Sequence, residues 1–238
     1  EKTTFPINSI SKAFAGVAVM QLVEAHKLDL DAPLATYLKE LPESWRGITI
    51  RQILTHTSGL SEIVDDNLRL IDGAEPDTAW AKVQELPLKF QPGTQFDYTQ
   101  TNSVVMGKII EKITGETFSD FVRDGQFDAV SMKRTNFADS ADVGADVGAN
   151  ANPHMVSLYT YLTLLTQGMD TIGVERSKVP LARYEPWTEY LLPAGGVQTT
   201  GKDLANWVIA LQKRKLINKD SLEQLWRPQP LSDGTYRG

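Results

Sequence analysis

Residues 13–20 read Ala-Phe-Ala-Gly-Val-Ala-Val-Met, a run without one polar side chain. At 3.6 residues per turn it has no polar face, so the pattern predicts a buried central helix, from about Ser9 to His26. The run is too short to span a bilayer. The rest of the chain must therefore fold around it. With 238 residues, 41% of them hydrophobic, there is enough apolar material for a large core.

Ser9 and Lys12 stand immediately ahead of that run, one helical turn apart and on one face. A lysine that enters an apolar helix loses hydration, and the positive end of the helix repels its charge. Neutrality at pH 7 asks for a drop of roughly 3 units, or about 4 kcal/mol. A neutral Lys12 could take the proton of Ser9, and the free N–H groups of the helix start could hold an oxyanion. The plain alternative is a capping serine beside a lysine that reaches for water. One S-x-x-K arises by chance in about every chain of this size and composition. The position before the most apolar helix is what favours chemistry.

Other chemistries find little support. The net charge of −6 argues against a nucleic-acid surface. His26, His56 and His154 are scattered, without metal-ligand spacing, and no G-x-S-x-G, G-x-G-x-x-G or P-loop occurs. No metal and no cofactor is indicated. The absence of cysteine removes disulfides and thiolate chemistry, and fits a periplasmic or a cytoplasmic protein. No leader peptide is visible ahead of Ser9.

Along the chain, helices dominate and strands are scarce. "KLDLDAPLATYL" predicts a short helix after Pro33, and "ITIRQILTHTSGL" a helix near Arg51–Thr55 stopped by Gly59. "DTAWAKVQELPLKF" reads as a surface helix and "QPGTQFDYTQ" as a loop. "TNSVVMGKIIEKITG" is amphipathic, with Gly115 as its stop and Asn102 as its expected cap. "TFSDFVRD" begins another helix, and "ADSADVGADVGANANP" reads as a long loop. "TTGKDLANWVIALQKRK" is a helix capped by Thr199 or Thr200, and "NKDSLEQLWRP" a last short one.

"FPINSISKAFAG" resembles the nucleophile segment of the serine β-lactamase and penicillin-binding-protein superfamily, in its class C-like branch with D,D-peptidases and family VIII carboxylesterases. "LDLDAPLATYLKELP" and "ITIRQILTHTSGL" are similar to its scaffold segments. "FQPGTQFDYTQTNSVVMGKIIEKITGETFSDFV" is similar to its tyrosine loop and following helix, and "LPAGGVQTTGKDLANWVIAL" to its Gly-Gly turn. The resemblance covers nearly all of the chain except residues 60–85 and 140–190. It implies an α+β, β-lactamase/transpeptidase-like fold. It implies Ser9 as acylated nucleophile, Lys12 as proton partner and Tyr98 as the end of the relay. Gln100, Gly195 and Gly196 are the implied substrate-side residues, although the glycines also suit a tight turn. The family pattern has Asn two residues after the tyrosine. Gln100 stands there, one methylene longer, which weighs against a β-lactam or peptide amide and for a small carboxylic ester. "HTSG" at His56–Gly59 and "TTGK" at Thr199–Lys202 look like the family's third motif but lie in the wrong places.

The expectation is thus a serine hydrolase acting on a small ester, with a β-lactamase, a D,D-peptidase or a non-catalytic binding protein as alternatives. A periplasmic or secreted site is what the resemblance favours. In the family, further segments precede the nucleophile helix and follow the last one. Residues 1–238 are therefore expected to be one domain truncated at both ends, mainly the helical part, with most of the central antiparallel sheet missing. Apolar residues such as Phe14 and Val17 are then expected to be exposed. A second polypeptide or segments outside these residues would complete the sheet, and the chain alone would be weakly active.

Overall fold

A computed structural model of the chain describes residues 2–65, 69–71, 75–138, 158–167, 170–183 and 188–236. The apolar run forms helix α1, Ser11–Glu24. From Phe14 to Met20 it is buried on all sides, and Phe14, Ala15, Val17 and Ala18 have no exposed surface. The expectation that Phe14 and Val17 would be exposed is therefore wrong, because segments far along the chain cover this face. Phe14 meets Trp207 with ring centroids 4.3 Å apart and Phe127 edge-on at 5.5 Å. Gln126, fully buried, joins the group: its Nε2 donates to the Phe14 carbonyl and its Oε1 accepts from Trp207 Nε1. Helical elements, not a large sheet, close that face.

Ser9 does not belong to α1 proper. It sits in a 3-10 turn, Asn8–Ile10, that feeds the helix. At the other end α1 stops at Glu24, before the expected His26, which takes a left-handed φ of 55°. Helix α2 (Glu43–Arg46) and α3 (Ile50–Leu54) follow, α3 with a Thr49–Gln52 capping box. Helix α4 (Pro76–Glu85) ends sooner than "DTAWAKVQELPLKF" suggests, because Pro87 forces Leu86 into an extended conformation. Ala79 and Val83 make its inner face. Helix α5, Gln100–Thr114, ends at Gly115 in the left-handed conformation, as expected. Its cap is Thr99 rather than Asn102, which is fully buried and used elsewhere. Helix α6 (Phe118–Val122) runs into a π-helical turn, Arg123–Phe127. Helices α7 (Leu192–Gly195), α8 (Gly201–Gln212, capped by Thr200) and α9 (Lys219–Trp226) complete the α-helices of the described residues.

Around α1 lie α5, α6, α7 and α9. Among the described residues no helix is long and apolar enough to cross a membrane.

Strands β1 (Phe5–Pro6), β2 (Asn136–Phe137) and β5 (Val197–Thr199) form a small antiparallel sheet in the order β1-β5-β2. Phe5 faces Thr199 and Phe137 faces Val197. Two bonds tie this sheet to the start of α1. Ile7 N donates to Val197 O at 3.0 Å, and Val197 N donates to Ser11 Oγ at 3.0 Å. The remaining strands, β3 (Leu158–Gln167) and β4 (Asp170–Arg183), pair as an antiparallel hairpin with two register shifts. No element was expected there. The loop read at "ADSADVGADVGANANP" lies, apart from Ala138, outside the described residues. The architecture is the expected α+β one, mostly helical with few strands.

The packing of Phe14 carries a first prediction. Phe14→Ala is expected to destabilise the fold by about 3–5 kcal/mol, while Phe5→Ala, at a position 47% exposed, costs under about 1 kcal/mol. Urea unfolding of the two variants checks this, and equal costs would mean that the Phe14–Trp207–Phe127 group is not the centre of the core.

Candidate active site

The short sheet holds the 3-10 turn in place and so presents Ser9 to solvent. Asn8, directly before it, has a left-handed φ of 45°. Lys12 is half-buried in the first turn of α1. Its Nζ lies 3.3 Å from Ser9 Oγ, 2.8 Å from Gln100 Oε1 and 2.7 Å from the Ala194 carbonyl. The Tyr98 hydroxyl donates to Ser9 Oγ at 2.7 Å, and the Tyr98 ring centroid is 4.9 Å from Lys12 Nζ. The structure thus brings Ser9, Lys12, Tyr98 and Gln100 together, from three separate stretches of backbone counting Ala194.

The donor count at Lys12 decides what it can do. A neutral amine has two N–H groups and one lone pair. The two shorter contacts go to carbonyl oxygens, which only accept. The lone pair is left for the third direction, which is Ser9. After taking a proton, the ammonium finds an acceptor in all three directions, so neither carbonyl has to move. Burial lowers the Lys12 pKa, the direction the sequence required, while the neighbouring Tyr98 and Glu62 oppose it.

Three helices must approach closely for this. Gly107 on α5 makes the approach possible, since a Cβ there would lie 2.8 Å from Pro193 Cγ of α7. Gly195 and Gly196 are buried beside the Ala194 carbonyl. The Gly196 carbonyl accepts from Ala138 N. Their closeness to the site is through this backbone, behind Lys12.

The tyrosine loop rests on the "HTSG" turn. Lys89 N donates to Gly59 O, Gly93 N to Thr57 O and Asp97 N to His56 O, at 2.7–2.9 Å. Gly59 has a φ of 77°, and a Cβ on it would come within 2.2 Å of the Phe90 carbonyl oxygen. This turn is scaffold, as its position in the sequence suggested. It also supplies residues that sequence reasoning left out. The His56 ring stacks on Tyr98 at 4.5 Å, with an interplanar angle of 30°. Its Nδ1 faces Thr99 N at 3.3 Å and Asn102 Nδ2 at 3.0 Å. Two donors at Nδ1 place the ring proton on Nε2. Asn102 Oδ1 accepts from Ser58 Oγ at 2.7 Å. Glu62 was also missed. Both its carboxylate oxygens accept from Gln100 N at 3.0 Å, at the positive end of α5. No local spacing announces Glu62, whereas a buried Ser58 and Asn102 are visible only once the two segments meet.

A cavity of about 260 Å³ borders Lys12 and His56, walled by Gly16, Met20, Met106 and Leu225. A larger one, about 400 Å³ around Asp29, Asp31, Tyr37 and Arg51, touches neither Ser9, Lys12 nor Tyr98.

Comparison with known proteins shows the family and the fold. The sequence profile of the family described as Beta-lactamase matches residues 1–235. The chain is 27% identical over 236 residues to the putative penicillin-binding protein PbpX of Bacillus subtilis (strain 168), covering 98% of this chain and 52% of that one. It superposes on a penicillin-binding protein from Bacillus halodurans with a TM-score of 0.72 at 25% identity, covering 96% of this chain and 65% of the other. A D-stereospecific amidohydrolase from Streptomyces sp. gives 0.71 at 23%, over 97% and 67%, a likeness of fold alone. The chain spans about half the length of the first of these relatives.

His56 makes the site sensitive to acid. Burial, and then the charge of Lys12, hold its pKa down from 6.5 to about 4, against Asp97. The unfolded chain therefore takes up this proton first. The stabilisation is complete above about pH 6.5 and is lost as pH falls towards 4. Between pH 7 and pH 5 this should remove about 2 kcal/mol from the wild type that His56→Phe does not lose. Denaturant titrations of both proteins at the two pH values check it, and equal losses would show that His56 is not held neutral.

Proposed function

The chain belongs to the β-lactamase family, of the serine β-lactamase and penicillin-binding-protein superfamily, and from that premise we propose that Ser9 is an acylated nucleophile acting on small carboxylic esters. The observation that carries the reading is the convergence of two proton carriers on one oxygen, Tyr98 Oη at 2.7 Å and Lys12 Nζ at 3.3 Å from Ser9 Oγ.

In this reading neutral Lys12 takes the hydroxyl proton as Ser9 Oγ attacks the ester carbonyl carbon. The C–O bond to the alcohol breaks, and the alkoxide receives a proton from the Lys12–Tyr98 pair. The acyl group stays on Ser9. Water then attacks it, the same pair takes the water's proton and returns one to Ser9 Oγ, and the acid leaves. Esters are favoured because the amide oxygen of Gln100, in the place of the family's asparagine, is engaged by Lys12 at 2.8 Å. An alkoxide also leaves with less assistance than an amine.

Hydrolysis of p-nitrophenyl butyrate is expected to exceed that of nitrocefin. Nitrocefin turnover without ester cleavage would reverse the substrate assignment. Lys12→Ala should slow acylation by about 10²–10⁴-fold, and a rate near that of the wild type would contradict its role as base. Gln100→Asn should move the ratio of the two activities towards nitrocefin, and an unchanged ratio would mean that Gln100 does not meet the substrate.

A further inference from the structure

We infer that His56 is the positioning residue of this site: it holds the Tyr98 phenol against Ser9 by gripping the residue before it, the residue after it and the ring itself. This rests on the reading of Ser9 and Tyr98 given above.

Three contacts of one residue carry the inference. The His56 carbonyl accepts from Asp97 N at 2.9 Å. Its Nδ1 accepts from Thr99 N at 3.3 Å. Its imidazole lies nearly parallel to the Tyr98 ring at 4.5 Å. Tyr98 is thus held from positions 97, 98 and 99 by a single side chain and its own backbone. The phenol needs such a wall, because 43% of Tyr98 is exposed.

The grip is itself rigid. Asn102, without exposed surface, donates to the same Nδ1 and accepts from buried Ser58, which also accepts from Leu60 N. His56 adopts a left-handed φ of 54°, which a residue with a Cβ holds only under constraint from its surroundings. The His56 and Thr57 amides anchor it to α3, donating to Ile53 O and Gln52 O. Since Nδ1 is occupied by donors and Nε2 carries the proton, the imidazole offers the phenol no acceptor. Its task is placement, not proton transfer.

Kinetics of the whole chain on p-nitrophenyl butyrate test this, with the fold of each variant checked by circular dichroism and Tm. His56→Gln, which removes the ring, should lower kcat about 10–100-fold with KM nearly unchanged, the cost of a misplacement of about 1 Å. His56→Phe, which keeps a ring, should recover most of that loss. In a Tyr98→Phe background, His56→Gln should change kcat by less than about twofold, because the residue acts only through the hydroxyl already removed. A loss that multiplies in that background overturns the inference. The crystal structure of whichever variant folds gives a readout independent of turnover. A Tyr98 hydroxyl shifted away from Ser9 Oγ supports the inference, and one still at 2.7 Å overturns it. A shift in a protein whose wild type cleaves no ester would leave the positioning intact and remove the hydrolase reading instead.

Discussion

A half-buried lysine with two carbonyl oxygens and one serine around it is the constraint on which the rest of this structure depends. Burial lowers the pKa of the amine and so eases the loss of its proton. The carbonyls of Ala194 and Gln100 then fix which way its lone pair points. Neither acceptor is near Lys12 in sequence. To deliver them, α7 must lie against α5 closely enough that residue 107 has no side chain, and α5 must begin within reach of α1. In the proposed reading the burial of α1 therefore serves the chemistry as well as the stability. Any loosening that let water reach Nζ would weaken the effect that lowers the lysine's pKa.

The start of α5 carries a second demand. Tyr98, Thr99 and Gln100 are consecutive, and each is used: one for the phenol, one as helix cap, one as partner of Lys12. The backbone N–H of Gln100 would otherwise be an orphan donor at a positive helix end. Glu62 answers it with both oxygens. The carboxylate also favours the charged form of Lys12, so the site balances burial against a nearby anion. In the proposed reading that balance lets the lysine hold and release a proton, as the two-step acyl transfer requires.

The parts legible in the sequence are those where a local pattern sets the outcome. The S-x-x-K pair, the apolar run and the Gly115 stop each depend on neighbours within a turn or two, and each was readable. Tyr98 and Gln100 came through resemblance rather than spacing. The failures share a cause. Asn102 has the composition of a cap, but the polar partners that claim it, His56 and Ser58, are more than forty residues away. Phe14 is expected to lie bare if only a sheet can cover it, whereas Trp207 and Phe127 do so from distant helical segments. The β3–β4 hairpin lies in a stretch to which the resemblance did not extend. Its "LYTYLTLLTQ" is rich in Leu, Thr and Tyr, a strand signal weaker than the helical ones around it.

The central claim is that the oxygen between Lys12 and Tyr98 becomes covalently acylated. Its most direct measurement is mass spectrometry of the protein quenched in acid during turnover of p-nitrophenyl butyrate, followed by peptide mapping. The account predicts one butyryl group on the peptide containing Ser9, absent from Ser9→Ala and accumulating far more slowly in Lys12→Ala. Ester hydrolysis by the wild type with no acyl group on Ser9, or with the group on another residue, would contradict it.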